Sequence, residues 1–152
     1  MSTEVTINEF DPSVMIAYVD GSFDKETKTF GSGCVIIHNG LIEQKTSSGT
    51  DPLKASMRNV AGEVDAAMMA MITASNTKGV ETLIIYHDYT GIEKWCTGEW
   101  KANKVWTQIY RNYYNKVSQK IDIKFVKVLA HSGDKYNDMA DALAKKACGL
   151  IQ

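Results

Sequence analysis

This 152-residue chain predicts an α/β fold: a mixed five-stranded sheet, three antiparallel strands followed by two parallel ones, flanked by helices. Three observations lead there. Two short apolar segments are joined by Asn39-Gly40, a dipeptide suited to a two-residue hairpin. The hydrophobic period then switches from two to 3.6 and back twice, the pattern of strands alternating with helices. Strands joined through helices run parallel, because a crossover helix returns the chain in the same direction.

The elements follow in order. Residues 1 to 13, polar and closed by Asp11-Pro12-Ser13, read as a disordered lead-in, and 14 to 152 as one domain. Val14 to Asp20 is a buried strand. Gly33 to His38 is the second strand and Leu41 to Ser47 the third, paired through the Asn39-Gly40 turn. From about Ser56 to Ser75, Val60, Val64, Ala67, Met68, Met71 and Ile72 recur at helical spacing, and Gly79 marks the stop. Glu63 lies on the border of that apolar face, with Asn59 one turn earlier. A strand from Glu81 to His87 precedes a helical region from Thr90 to Lys120 that breaks near Thr97-Gly98. Ile121 to Val128 alternates as a last strand, and a helix from about Tyr136 to Cys148 ends the fold.

Composition narrows the function classes. A hydrophobic content of 44% suits a single domain with its own core. No run approaches the ~18 apolar residues of a spanning helix, and the first residues lack a secretory pattern, so a cytoplasmic, membrane-free protein is expected. The three cysteines, Cys34, Cys96 and Cys148, are odd in number and lack metal-ligand spacing; they read as reduced packing residues. Net charge is only −1, yet Lys101 to Lys120 carries five basic residues and no acid, interleaved with Trp106, Tyr110, Tyr113 and Tyr114. That segment is either a nucleic-acid surface or an ordinary amphipathic helix with solvated lysines.

Four carboxylates carry the chemistry. Asp20, Glu63, Asp88 and Asp141 are each set among apolar residues, as in Tyr18-Val19-Asp20 and Ala140-Asp141-Ala142. One such acid alone is an ordinary cap or surface group. Four together, packed against hydrocarbon, call for a counter-charge, and oxygen ligands without thiolate suit Mg2+, with Mn2+ as substitute.

Asp20-Gly21-Ser22, Arg58-Asn59-Val60-Ala61-Gly62-Glu63, Asp88 and the stretch from His131 to Asp141, in this order and on these elements, resemble type 1 ribonuclease H. The resemblance runs from Val14 almost to the end. It implies a ribonuclease H-like sheet and hydrolysis of the RNA strand of an RNA/DNA hybrid, leaving 5'-phosphate and 3'-hydroxyl ends. It also implies a two-metal mechanism: Asp20 bridges the ions, Glu63 and Asp88 hold one, Asp141 helps hold the other, and His131 moves protons or assists product release. By the same resemblance Ser22 and Asn59 meet the minor groove and 2'-hydroxyls, and Asn137 sits near the scissile phosphate. Trp95, Trp100, Lys101 and Lys104 resemble DNA-strand contacts, although each Trp could equally be core. The region after Asp88 is shorter and less basic than the extended handle of some family members. His87 stands where a smaller residue or tyrosine is expected; it either faces the hybrid or caps the strand. A monomer is expected.

Two other readings remain open on sequence alone: a catalytically silent nucleic-acid-binding module on the same fold, and a related metal-dependent nuclease or strand-transfer enzyme. The complete acid set argues against the first. The Asn59-Glu63 edge and the His131 loop argue against the second.

Overall fold

The computed structural model describes residues 10–129 and 134–152. Its strands are β1 (Val14–Asp24), β2 (Thr29–His38), β3 (Leu41–Gly49), β4 (Thr82–His87) and β5 (Asp122–Lys127). The helices are α1 (Pro52–Ala55), α2 (Asn59–Asn76), α3 (Gly91–Thr97), α4 (Val105–Val117) and α5 (Lys135–Cys148). The sheet order is β3-β2-β1-β4-β5. β1 pairs antiparallel with β2 and β2 with β3, whereas β4 runs parallel to both β1 and β5, as the sequence predicts.

The period-two alternation of β1 divides the protein into layers. Met15, Ala17 and Val19 face the larger core, which α2, α3 and α4 complete with Val64, Met71, Ile92 and Tyr110. Ile16 and Tyr18 face the other way, where α5 covers them with Ala140, Met139 and Leu143. The aromatic and basic segment is chiefly this amphipathic architecture: Tyr110 is fully buried in α4, while Lys116 and Lys120 are exposed.

Several boundaries differ from the sequence reading. β1 continues four residues beyond Asp20, because Gly21 to Asp24 stay in antiparallel register with Gly31, Ser32 and their neighbours. Asp20 therefore sits within a strand, not at its end. The short α1 is an additional turn, capped by the Asp51 side chain accepting from the Leu53 and Lys54 amides. The region after Asp88 does break where the sequence predicts, into α3 and α4, with Gly98 in the left-handed conformation at the break. Ser13 is held rather than loose: its carbonyl accepts from the Glu81 and Thr82 amides at 2.8 and 3.0 Å. Cys34, Cys96 and Cys148 are free and buried. Among the described residues no helix is long and apolar enough to cross a membrane.

Candidate active site

Strand alternation brings the first two acids together. Tyr18 and Tyr86 are register partners on parallel β1 and β4, their rings stacked 4.5 Å apart. Two residues further along each chain stand Asp20 and Asp88, so both carboxylates emerge beyond the tyrosine pair on the same face.

Two glycines bring the helices to them. Asp20 lies opposite Gly33 on β2. A Cβ at Gly33 would collide with the backbone carbonyl of Ala140, so only glycine lets α5 rest this close to the sheet. Asp141, the next residue of α5, thereby lines the same cleft as Asp20, close enough for its charge to act on it. A Cβ at Gly21 would likewise collide with the Asn59 carbonyl and the Glu63 amide. Its absence lets the first turns of α2 lie on β1 and delivers Glu63 to the edge of the acid group.

Glu63 is 1% exposed, and its Oε2 accepts from the Asp88 and Tyr89 backbone amides at 3.0 Å each. Burial pushes its carboxyl up to about 8; the charges of Asp20 and Asp88 add to this, and the two amides oppose it. Asp20 is pushed up to about 7, again chiefly by burial, with the Gly21 amide opposing and the Asp141 and Asp88 charges adding. These groups crowd negative charge that a single neighbouring ion pair, Lys145 with Asp141, only partly offsets among the described residues. The cleft they form, about 170 Å3, is lined by Asp20, Gly21, Asn59, Asp88, Asn137, Asp138 and Asp141, with no Lys or Arg among these described residues. Among the described residues, Lys145 is the neighbouring cation that pairs with the group, at 2.9 Å from Asp141.

This donor set fits a hard divalent cation. All four side chains offer carboxylate oxygen, and a cation would offset the burial first, and the mutual repulsion after it, that raise Asp20 and Glu63. Among the described residues no group of three or more acids, histidines or cysteines forms a ready-made metal cage. Glu63 is turned to backbone amides and Asp141 to Lys145. The arrangement suits an ion that keeps several of its own waters, as Mg2+ does.

The remaining sequence expectations divide. Asn59, the exposed first residue of α2, and the buried Asn137 both line the acidic cleft. Asp138 lines it too, although its side chain is exposed. Ser22 is 8% exposed and does not line the cleft. His131 lies outside the described residues. Trp95, Lys101 and Lys104 line a second cleft of about 340 Å3 with Met57, Val60, Tyr89, Asn103 and Thr107. Trp100 is 37% exposed and packs edge-on to Tyr89 and Trp95, both 6.0 Å away. Trp106 lies apart from both clefts, with the Lys54 ammonium 4.6 Å above its ring. Sequence reasoning missed Tyr89, which joins the two clefts by bonding Glu63 through its amide and meeting Trp95 through its ring. An aromatic residue directly after a strand-end acid was the available signal. His87 does not face the cleft: it is 1% exposed on the opposite side of β4, as alternation from Asp88 requires.

Comparison with known proteins agrees with this architecture. A sequence model described as RNase H matches residues 12–149. Ribonuclease H of Wolbachia pipientis wMel is 41% identical over 73 residues, 44% of this chain, a match spanning about half of that relative's length (49%). Ribonuclease H of Francisella tularensis subsp. novicida is 28% identical over 145 residues, 88% of this chain and 90% of that protein. The crystal structure of ribonuclease H1 from the halophilic archaeon Halobacterium salinarum superposes with a TM-score of 0.72 at 22% identity, covering 91% of this chain and 99% of the other. The N-terminal RNase H domain of a Mycobacterium tuberculosis protein gives 0.73 at 15% identity, covering 90% and 94%. At such identities the two structures establish the fold alone.

Proposed function

This chain belongs to the ribonuclease H family, and from that premise we propose that it is an endonuclease hydrolysing the RNA strand of RNA/DNA hybrids by a two-metal-ion mechanism. The observation that carries the proposal is the acidic cleft: Asp20, Asp88 and Asp141 meet there, and no Lys or Arg is found among the described residues that line it. Asp20 would bridge two Mg2+ ions, Glu63 and Asp88 hold one, and Asp141 help hold the other, with Mn2+ as a substitute. Bound there, the cations supply an activated water and offset the charge that builds on the phosphate in the transition state.

The chain's own groups do the rest. Glu63 keeps one oxygen on the backbone amides of Asp88 and Tyr89, so its orientation is set before any ligand arrives. Asn59, exposed on the cleft wall, can donate to and accept from a 2'-hydroxyl, the group that distinguishes RNA from DNA. The Gly21 backbone is partly exposed beside it, and Ser22 would contribute through its main chain, since its side chain is buried. Asn137 is assigned to the scissile phosphate. His131 is assigned the proton transfer, its reference pKa being near neutral. In the reaction a water oxygen bonds to phosphorus and the P–O3' bond breaks, so the fragments end in 5'-phosphate and 3'-hydroxyl. Trp95, Trp100, Lys101 and Lys104 would receive the DNA strand, aromatic surface against deoxyribose and ammonium against phosphate. We further propose that residues 14–152 act as a single domain, monomeric and in the cytoplasm.

Incubation with Mg2+ and matched RNA/DNA, RNA/RNA and DNA/DNA duplexes tests the reading. Cleavage confined to the RNA of the hybrid is expected. Tight hybrid binding without cleavage would instead identify a silent binding module on the same fold.

A further inference from the structure

His87 ends β4 one residue before Asp88, and alternation sends its ring into the core, edge-on to Phe125 at 5.8 Å. Its Nδ1 lies 3.0 Å from the carbonyl oxygen of Tyr89. A carbonyl only accepts, so Nδ1 carries the hydrogen and Nε2 is left as a bare lone pair. That buried lone pair has no hydrogen-bond partner among the described residues. The charged group beside it is Glu93, whose Oε1 stands 3.9 Å away and is itself an acceptor. A phenyl ring would fill nearly the same space without an orphaned acceptor. What imidazole adds over phenyl is one donor, and that donor reaches one atom.

The atom lies at a decisive corner. Tyr89 is where the chain leaves β4 for α3, and its carbonyl also accepts from the Ile92 amide at 3.1 Å. The same corner aims the Asp88 and Tyr89 amides at Glu63. With its amide bonded to Glu63 and its carbonyl bonded to His87, Tyr89 loses the rotational freedom that would let either acid drift. Resting on the reading of the acidic cleft as the catalytic site, we infer that His87 is a positioning residue: its Nδ1–H holds the Tyr89 carbonyl and thereby fixes how Glu63 and Asp88 are presented. It touches no substrate. A group of this kind orients ligands from behind, and losing one typically weakens metal affinity or activity by about 10- to 100-fold.

The test compares His87→Phe, which keeps the ring and loses the donor, with His87→Asn, which keeps a short donor. In the metal-free protein, amide hydrogen exchange followed by NMR should accelerate at Asp88 and Tyr89 by about tenfold or more in the Phe variant. Exchange at Ile84 and Ile85 should stay as in wild type, and Asn should restore part of the protection. Mn2+ titration without hybrid, read by electron paramagnetic resonance, should show about tenfold weaker binding for Phe and an intermediate value for Asn. In turnover kcat should fall while KM for the hybrid holds. Wild-type exchange at both amides in the Phe variant would overturn the inference, as would acceleration spread evenly along β4 in both variants. If Phe does not fold, His87→Leu carries the same comparison. The exchange measurement uses neither metal nor hybrid, so inactivity of the wild-type chain on hybrids would overturn the catalytic reading while the positioning role is judged on its own data.

Discussion

Replacing Asp20 by Asn should abolish cleavage and, in the metal-free protein, raise stability in a pH-dependent way. The amide keeps the shape and can still accept from the Gly21 amide, a bond now 2.8 Å long. It removes a charge whose carboxyl is pushed from 3.8 to about 7, by burial first and by Asp141 and Asp88 after it. Such a displacement sets a ceiling of about 4 kcal/mol. The repulsion is shared with its neighbours and the amide must also be desolvated, so the realised gain is about 1–2 kcal/mol. An acid raised in the folded state contributes no penalty below its unfolded value and a growing one as pH rises through its folded value. The advantage of Asn should therefore be small near pH 4, grow between pH 4 and 7, and be complete by about pH 8. For a chain of this length that means a Tm about 2–8 °C above wild type at pH 8 without metal. Mg2+ should raise the wild-type Tm and narrow the gap. Thermal denaturation monitored by circular dichroism at several pH values, with and without Mg2+, provides the assay. A gap that is constant with pH, or an Asn variant that retains near-normal turnover, would show that Asp20 is not the shared, charge-crowded ligand.

Three further outcomes follow from the same geometry. Lys101→Glu with Lys104→Glu should weaken hybrid binding and flatten its salt dependence by about one in slope for each phosphate no longer engaged, measured by binding titrations across salt, while saturated turnover changes less. Asp141→Asn should lower the rate severely and raise the Mg2+ concentration required, whereas Asp138→Asn, whose side chain is exposed and does not figure among the charges acting on Asp20, should be mild in the same metal titration. Gly33→Ala should lift α5 from β2 at Ala140, costing about 1–3 kcal/mol in urea unfolding and lowering activity by separating Asp141 from Asp20.

The sequence was most legible where a period could be counted. The chain order of strands and helices, the Asn39-Gly40 hairpin and the core face of α2 all follow from alternation or helical spacing, and so does the placement of Asp20 and Asp88 at strand level. The sequence reading ends the first strand at Asp20, whereas β1 continues to Asp24 and Gly21, lacking a Cβ, lets α2 lie on the continuing strand. Arg58 at the start of α2 has a positive φ of 56°, a conformation no composition rule assigns to arginine. The orientation of His87 was implicit in the pattern: if Asp88 faces the cleft, alternation sends its neighbour inward. Tyr89 escaped notice because its contribution to Glu63 comes from its backbone amide, which any residue but proline could supply.

Metal-dependent hydrolysis of hybrid RNA can be checked at the bond itself, by analysing end groups on labelled RNA from a matched hybrid treated with this protein and Mg2+, alongside the same RNA as a single strand. Internal fragments bearing 5'-phosphate and 3'-hydroxyl ends are expected from the hybrid alone, and none when chelator removes the metal. Equal cutting of the single strand, 2',3'-cyclic phosphate ends, or cleavage that persists in chelator would contradict a two-metal ribonuclease H.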